Sequence, residues 1–95
     1  MFIHIFGFRW QPAVTESDKS RTADAIRAFA GNIPGLLAVH AGPNLSPRSQ
    51  GYAFAGLMTF TTREAYEAYT THPQHLALLT WLIPLIEPVE LDFEA

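Results

Sequence analysis

The sequence predicts an α+β fold of the ferredoxin-like type, with elements in the order βαββαβ and a four-stranded antiparallel sheet. Three observations lead to this prediction. Segments rich in Phe, Ile and Val alternate with segments whose apolar residues recur at helical spacing. Gly and Pro cluster between these segments, where turns are expected. The length of 95 residues suits a single domain over residues 1–95. Right-handed crossovers then place both helical layers on one face of the sheet.

The first strand is predicted over residues 2–10, followed by the first helix. One face of the strand carries Phe2, His4, Phe6, Phe8 and Trp10, and the other carries Ile3, Ile5, Gly7 and Arg9. Because both faces are largely apolar, we expect this strand at the centre of the sheet, covered on both sides. Thr15 offers the hydroxyl of a helix cap with acidic residues after it, and Gly31 should stop the helix.

Two further strands are predicted in the middle of the chain, over residues 36–40 and 52–60. Between them, residues 41–51 hold two Pro and two Gly, which predicts a hairpin loop. The loop resembles no phosphate-binding cradle, because its glycines are too few and no helix follows directly.

The last third of the chain predicts two short helices and a strand. Residues 61–64 (Thr-Thr-Arg-Glu) fit a capping box that opens the first helix. A residue before proline avoids the α region, so this helix should break near His72, and Pro73 suits the first turn of the next. Pro84 should end or kink that helix. The final strand, over residues 89–93, alternates apolar with acidic side chains. The acidic positions, which we expect to face solvent, are Glu90, Asp92 and Glu94.

Composition predicts a homodimer. Charged residues make up 16% of the chain and aromatic residues 13%, whereas charged residues are about 25% of an average soluble protein. If the helices cover one face of the sheet, the other face is bare, yet the first strand is apolar on both sides. A bare apolar face of this size is rare on a monomer. We therefore expect two sheets to pack face to face around a barrel-like interior.

Charge and motif content exclude several functions. The net charge is −3 and the six Lys and Arg residues are scattered, so nucleic acid is not an expected partner. The chain has no Cys, which excludes disulfides and thiolate catalysis. The apolar N-terminal run is too short for a membrane span or a signal segment, so we expect a cytoplasmic protein without membrane contact. Flavin, nicotinamide and nucleotide motifs are absent, and no cofactor is expected.

The segment from Tyr69 to His75 is the strongest candidate for chemistry. His75 should lie in the first turn of a helix, whose N-terminus disfavours the imidazolium form. A neutral imidazole there could act as a general base, and the phenol of Tyr69 could stabilise a developing enolate oxygen. The alternative is structural, with His75 capping the corner between two helices and Tyr69 packing its ring.

Two other histidines have competing interpretations. His4 is either a buried residue bonded to a neighbour or a pocket residue facing Tyr69 or His75, because strand parity alone does not say which face meets the helices. His72 and His75 have the spacing of a metal pair. Zinc and non-haem iron sites usually need a third ligand, and no acid is close in sequence, so we expect no metal and assign His72 to the corner.

The chain resembles the stress-responsive dimeric α/β barrel (Dabb) family along nearly its whole length. The resemblance lies in His4, in Arg9-Trp10-Gln11-Pro12-Ala13-Val14-Thr15, in Ile33-Pro34-Gly35, in Gly42-Pro43-Asn44-Leu45-Ser46 with Gly51-Tyr52, in Tyr69-Thr-Thr-His72-Pro73-Gln74-His75 and in Asp92-Phe93. The His-Pro-x-His element with the final Asp-Phe is the most specific of these. The resemblance implies a dimeric α+β barrel.

One member type of this family, the plant olivetolic acid cyclase, closes a polyketide ring by aldol condensation. The resemblance implies that its catalytic Tyr and His correspond to Tyr69 and His75, and its pocket His on strand one to His4. This chain departs from the cyclase at Phe54, where the cyclase has a His, and at Ile26, where it has a pocket Tyr. The departures concern the substrate and leave the proposed acid/base pair in place.

The leading hypothesis is therefore a cofactor-independent, cyclase- or lyase-like enzyme acting on a small aromatic or polyketide-like carbonyl compound. His75 and Tyr69 would be catalytic. An apolar pocket between helices and sheet would bind the ligand through His4, Phe6, Phe8, Ile26, Leu78 and Trp81. The alternatives are a non-catalytic stress-response or ligand-binding protein and a cofactor-free monooxygenase, because fold alone does not decide between them.

Overall fold

The computed structural model describes all residues from 1 to 95 and confirms the predicted ferredoxin-like order. The elements are β1 (Phe2–Trp10), α1 (Glu16–Arg27), β2 (Leu36–Pro43), β3 (Phe54–Phe60), α2 (Arg63–Thr70), α3 (Pro73–Leu82), a 3₁₀ turn (Ile83–Leu85) and β4 (Ile86–Glu94). The strands form one sheet in the order β2-β3-β1-β4, and every neighbouring pair is antiparallel. No helix combines the length and the apolar character that a membrane span requires.

Strand β1 is central, as its apolar faces predicted. In the sheet register, Phe6 lies opposite Gly56 of β3 and Glu90 of β4. The face that carries His4 and Phe6 meets the helices, which settles the question that strand parity left open. On this face the core joins strand residues to helix residues such as Ile26.

The helices begin where side chains satisfy their first N–H groups. Thr15 caps α1 in a capping box with Asp18, as the sequence predicted in part. In α2 the cap is Thr62, whose hydroxyl accepts from the N–H of Ala65. The prediction of a capping box over residues 61–64 is therefore one residue out of place, and the third helical position holds Ala65 instead of an acid.

The corner between α2 and α3 forms where it was predicted. His72 is the cap of α3, and its Nδ1 accepts from the N–H of Gln74 at 3.1 Å. Pro73 occupies the first turn, where its missing N–H needs no partner. This arrangement assigns His72 to the structure of the corner.

Two strands are longer than predicted because they lie at sheet edges. Strand β2 continues to Pro43, and β4 begins at Ile86 and includes Pro88. Proline has no N–H to donate. In a central strand every N–H faces a neighbouring strand, whereas in an edge strand proline is tolerated at positions whose N–H would face solvent. Pro43 and Pro88 therefore lie inside these strands, beyond the predicted bounds.

The face of the sheet away from the helices is apolar at its centre. Ile5 lies between Leu57 and Leu91, and Ile3 lies next to Phe93. In one chain Leu91 is 60% exposed and Phe93 is 50% exposed. We call this surface the open face.

Candidate active site

A mostly apolar cavity of about 260 Å³ lies between α3 and the helix-covered face of β1 and β4. Nine of its thirteen lining residues are hydrophobic. The sequence-predicted residues among them are His4, Phe6, Phe8, Ile26, Tyr69, His75 and Leu78. The fold thus brings one phenol and two imidazoles from three different elements to one apolar space.

His75 is held in a fixed tautomer at the start of α3. Its Nδ1 lies 2.9 Å from the carbonyl oxygen of Thr70. Since a carbonyl only accepts, Nδ1 carries the proton, and the neutral ring keeps a lone pair on Nε2. Burial lowers the pKa of His75 below 6.5, which outweighs the opposing effect of the Thr70 hydrogen bond. The helix N-terminus acts in the same direction as burial.

Tyr69 lies directly against His75. The two ring centroids are 4.4 Å apart at an angle of 39°, and Tyr69 is 5% exposed. Burial, together with Tyr66 and the Glu90 carboxylate, raises the pKa of the Tyr69 phenol, which therefore stays protonated near neutral pH. No buried side-chain polar atom lacks a partner. The Tyr69 hydroxyl forms no hydrogen bond within the chain, so it cannot be one of the fully enclosed polar atoms. Because Tyr69 lines the cavity, a ligand can reach the hydroxyl from there.

His4 forms a second fixed imidazole on the same cavity. Its Nδ1 and the Asp92 carboxylate are 2.6 Å apart, so the ring donates from Nδ1 and leaves Nε2 without a partner. His4 is only 5% exposed, and its ring centroid lies 6.5 Å from that of Tyr69. Both interpretations of His4 therefore apply. The ring is buried and bonded to Asp92 through Nδ1, and the same residue lines the cavity.

Sequence reasoning missed two residues of this site, Glu90 and Asp92. They were expected to face solvent, and both are exposed residues, although the contact with His4 partly encloses the Asp92 side chain. The register of β4 on β1 places Glu90 opposite Phe6 and Asp92 opposite His4, on the helix-covered face. The signal was present in the alternation of β4: if its apolar side faces the open sheet surface, its acids must point towards the helices.

The two carboxylates act on the neighbouring phenols. Burial raises the pKa of Tyr66 to about 12, with further contributions from Asp92 and then Glu90. Tyr66 packs against His4, with ring centroids 4.9 Å apart. The polar side of the cavity therefore combines the neutral phenol of Tyr69 with the carboxylate of Glu90, whereas Tyr66 and Asp92 contact His4 from outside the cavity lining.

Trp81 was predicted to line the pocket but lies outside its wall. Arg21 of α1 covers the indole, with its guanidinium carbon 3.8 Å from the ring centroid. A helix turns by about 100° per residue, so Trp81 comes about 120° around the axis of α3 from His75. Leu79, Leu82 and Ile83 line the cavity from this part of the chain instead.

Two other kinds of site would be relevant to function, a metal site and a second surface groove. No group of three or more His, Asp or Glu side chains is arranged to hold a metal ion. A wider surface groove of about 410 Å³ runs along α1, past Trp10, Lys19 and Arg27. It contains neither His nor Tyr, so it offers no imidazole for proton exchange near neutral pH.

The chain belongs to the Stress responsive A/B Barrel Domain (Dabb) family, which it matches over residues 2–95. This confirms the resemblance seen in the sequence. No curated protein matches the chain.

Solved structures show the same fold. A dimeric ferredoxin-like protein of unknown function from Thermobifida fusca is 27% identical, with a TM-score of 0.87 over 99% of this chain and 90% of that one. A hydroxynitrile lyase from Passiflora edulis is 18% identical, with a TM-score of 0.86 over 97% of this chain and 90% of that one. SnoaB, a cofactor-independent oxygenase from Streptomyces nogalater, is 17% identical, with a TM-score of 0.77 over 99% and 91%. The last two likenesses are evidence of a shared fold.

Proposed function

We propose that this protein is a cofactor-independent enzyme of the cyclase or lyase type, which removes a proton next to the carbonyl of a small aromatic or polyketide-like compound. One observation carries the proposal. A neutral imidazole, that of His75, and a protonated phenol, that of Tyr69, are in contact with each other on one apolar cavity. Such a pair offers a base and a hydrogen-bond donor to the same bound molecule.

In the proposed reaction, Nε2 of His75 takes the proton from the carbon next to the carbonyl. The electron pair of the broken C–H bond forms the C=C bond of the enolate while the π pair of the C=O bond moves to oxygen, and the Tyr69 hydroxyl donates a hydrogen bond to that oxygen. The apolar walls strengthen that hydrogen bond because they exclude water. The enolate carbon then attacks a second carbonyl, whose oxygen takes the proton from Nε2 of His75, or the same carbon receives that proton back. His4 also lines the cavity, and we propose that its unpartnered Nε2 contacts the ligand.

We also propose that the protein is a homodimer through the open face. Leu91 and Phe93 are exposed in one chain, and a second copy would remove them from water. Support comes from similar structures, which are described as dimeric proteins from Thermobifida fusca and from Jannaschia.

The proposal is tested by proton exchange on a small ketone. Acetophenone is incubated with the protein in D₂O, and loss of the methyl proton signal is followed by NMR. We expect His75→Ala to slow the exchange by about 10²- to 10⁴-fold and Tyr69→Phe by about 10²-fold. His75→Asn, whose amide can keep the bond to Thr70, separates loss of the base from loss of local structure. His72→Asn is the matched control, since Asn keeps the helix cap and the residue lies outside the cavity.

Two results would contradict the proposal. Exchange at the rate of buffer alone, together with a ligand bound in the cavity, would identify a ligand-binding protein. Exchange that persists unchanged in the folded His75→Asn variant would exclude His75 as the base.

A further inference from the structure

We infer that Glu90 makes the cavity selective against anionic ligands, so that the substrate is an uncharged or cationic single-ring carbonyl compound and not a carboxylate. This inference rests on the proposed function in taking the cavity as the substrate site. It adds the charge and the size of the substrate, and it names a residue that sets the charge preference.

The cavity has no lysine or arginine among its lining residues. The basic side chains with partners are used elsewhere: Arg9 at Gln50 and Glu87, Lys19 at Glu16, Arg21 on Trp81, Arg27 at Ala41 and Arg63 at Glu67. Arg48 lies in the exposed loop between β2 and β3. A carboxylate bound in the cavity would therefore lose water without gaining a salt bridge, which is unfavourable.

Glu90 supplies a negative charge at the cavity wall, on the side where its own side chain is exposed to solvent. Asp92 is engaged by His4, whereas Glu90 has no hydrogen bond or ion pair within the chain and remains available to a ligand. Its negative field reaches the reacting groups, since it contributes to the raised pKa of both Tyr69 and Tyr66. An anion near Tyr69 would be repelled by the same field, and an ammonium or hydroxyl group would meet an unpartnered acceptor.

The size of the cavity limits the substrate to one ring. Its volume of about 260 Å³ is below the range of roughly 300–1,000 Å³ typical of ligand pockets. Phe6, Phe8 and Leu78 form flat or branched apolar walls, which suit an aromatic or alicyclic ring with short substituents. The polar groups at Tyr69 and Glu90 then meet two substituents of that ring, a carbonyl and a hydrogen-bond donor.

The test uses three acetophenones that share a ring and an acetyl group and differ at the para position. They are 4-(aminomethyl)acetophenone, 4-(hydroxymethyl)acetophenone and 4-acetylbenzoate, which are cationic, neutral and anionic at pH 7. Affinity is measured by NMR titration of the His75 and Tyr69 ring resonances. We expect the first two to bind at least about tenfold more tightly than the carboxylate, and Glu90→Gln to reduce the difference between alcohol and carboxylate to about twofold. Glu87→Gln, on the opposite face of β4, is the matched control and should leave the tenfold difference intact.

Several outcomes would overturn the inference: equal binding of the carboxylate and the alcohol to the unmodified protein, an undiminished difference in Glu90→Gln, or no effect of any of the three compounds on His75 and Tyr69. Selective binding without proton exchange would instead contradict only the proposed catalytic function, because the charge preference does not depend on turnover.

Discussion

The helix-covered face of the sheet carries polar side chains among its aromatic residues, whereas the open face is apolar at its centre. The same strands build both faces. In β4 the acidic Glu90 and Asp92 point towards the helices, and the apolar Leu91 and Phe93 point away from them. In a strand with one wet face, the polar side chains would normally be on the outside.

This inversion indicates what each face is for. An apolar surface that no helix covers requires another surface to cover it, and a second copy of the chain is the occupant that we propose. A polar group buried under a helical layer, as His4 is, requires a reason to be there, and the cavity that it lines together with Tyr69 provides one. The open face is thus the proposed dimer interface, and the helix-covered face holds the proposed active site. Substitutions on the two faces should therefore change different properties of the protein.

The largest effect is expected from a charge on the open face. Leu91→Lys should dissociate the proposed dimer, because twofold symmetry places two uncompensated ammonium groups in one apolar interface, each at a cost of several kcal/mol. Sedimentation velocity measures the change in mass. The control is Leu76→Lys on α3, a leucine that is 47% exposed on the helical side and should leave the assembly unchanged. A Leu91→Lys protein that keeps the mass of the unmodified one would show that the open face is not the interface.

A second effect is expected on the helix-covered face, at Gly56. A Cβ there would overlap the ring of Phe6, which crosses the glycine from the neighbouring strand. Gly56→Ala should lower the free energy of unfolding by about 1–3 kcal/mol and push the Phe6 ring into the cavity, which would weaken ligand binding. Denaturant unfolding and ligand titration measure both changes.

The control for this prediction is Gly42→Ala in β2, where the added methyl group would meet only Arg27, at 3.7 Å. Equal stability of the two variants would mean that the ring of Phe6 can move aside freely, and the cavity would then not have a fixed wall.

The fold was predictable because its signals are local. Strand β1 is apolar on both faces, the Thr15 hydroxyl caps a helix, and the residue before Pro73 disfavours the helical conformation. Tyr69 and His75 were predictable as a pair for the same reason, since a single corner holds them both.

The rest of the site depends on contacts between distant parts of the chain. Asp92 meets His4 only because β4 pairs with β1 in one register, and a shift by one residue would turn it outwards. Trp81 was placed in the wall from its size and apolar character, but Arg21 of another helix covers it on the outside. Neither partner is visible in the sequence near these residues.

A smaller effect is expected when the charge of Asp92 is removed. Asp92→Asn should lower the pKa of Tyr66 from about 12 but leave it above the ordinary value of 10, because burial is the larger cause. Glu90→Gln should lower it less. NMR titration with labelled tyrosine measures the pKa of each phenol separately. If Asp92→Asn leaves the pKa of Tyr66 unchanged, the Asp92 carboxylate does not act on the phenol that packs against His4.

The smallest effect concerns stability and pH, and it depends on His75. Its folded-state pKa lies below its ordinary value of 6.5, so as pH falls through 6.5 the unfolded chain takes up a proton before the folded one does. The free energy of unfolding should therefore decrease between pH 6.5 and the lowered pKa and then level off. His75→Gln, which has no proton to take up, should lack this part of the decrease, and the difference between the two proteins isolates it. If the unmodified protein instead gains stability relative to the variant as pH falls, the folded site favours the imidazolium. The face of the sheet that the helices cover would then hold a charged histidine and not a base.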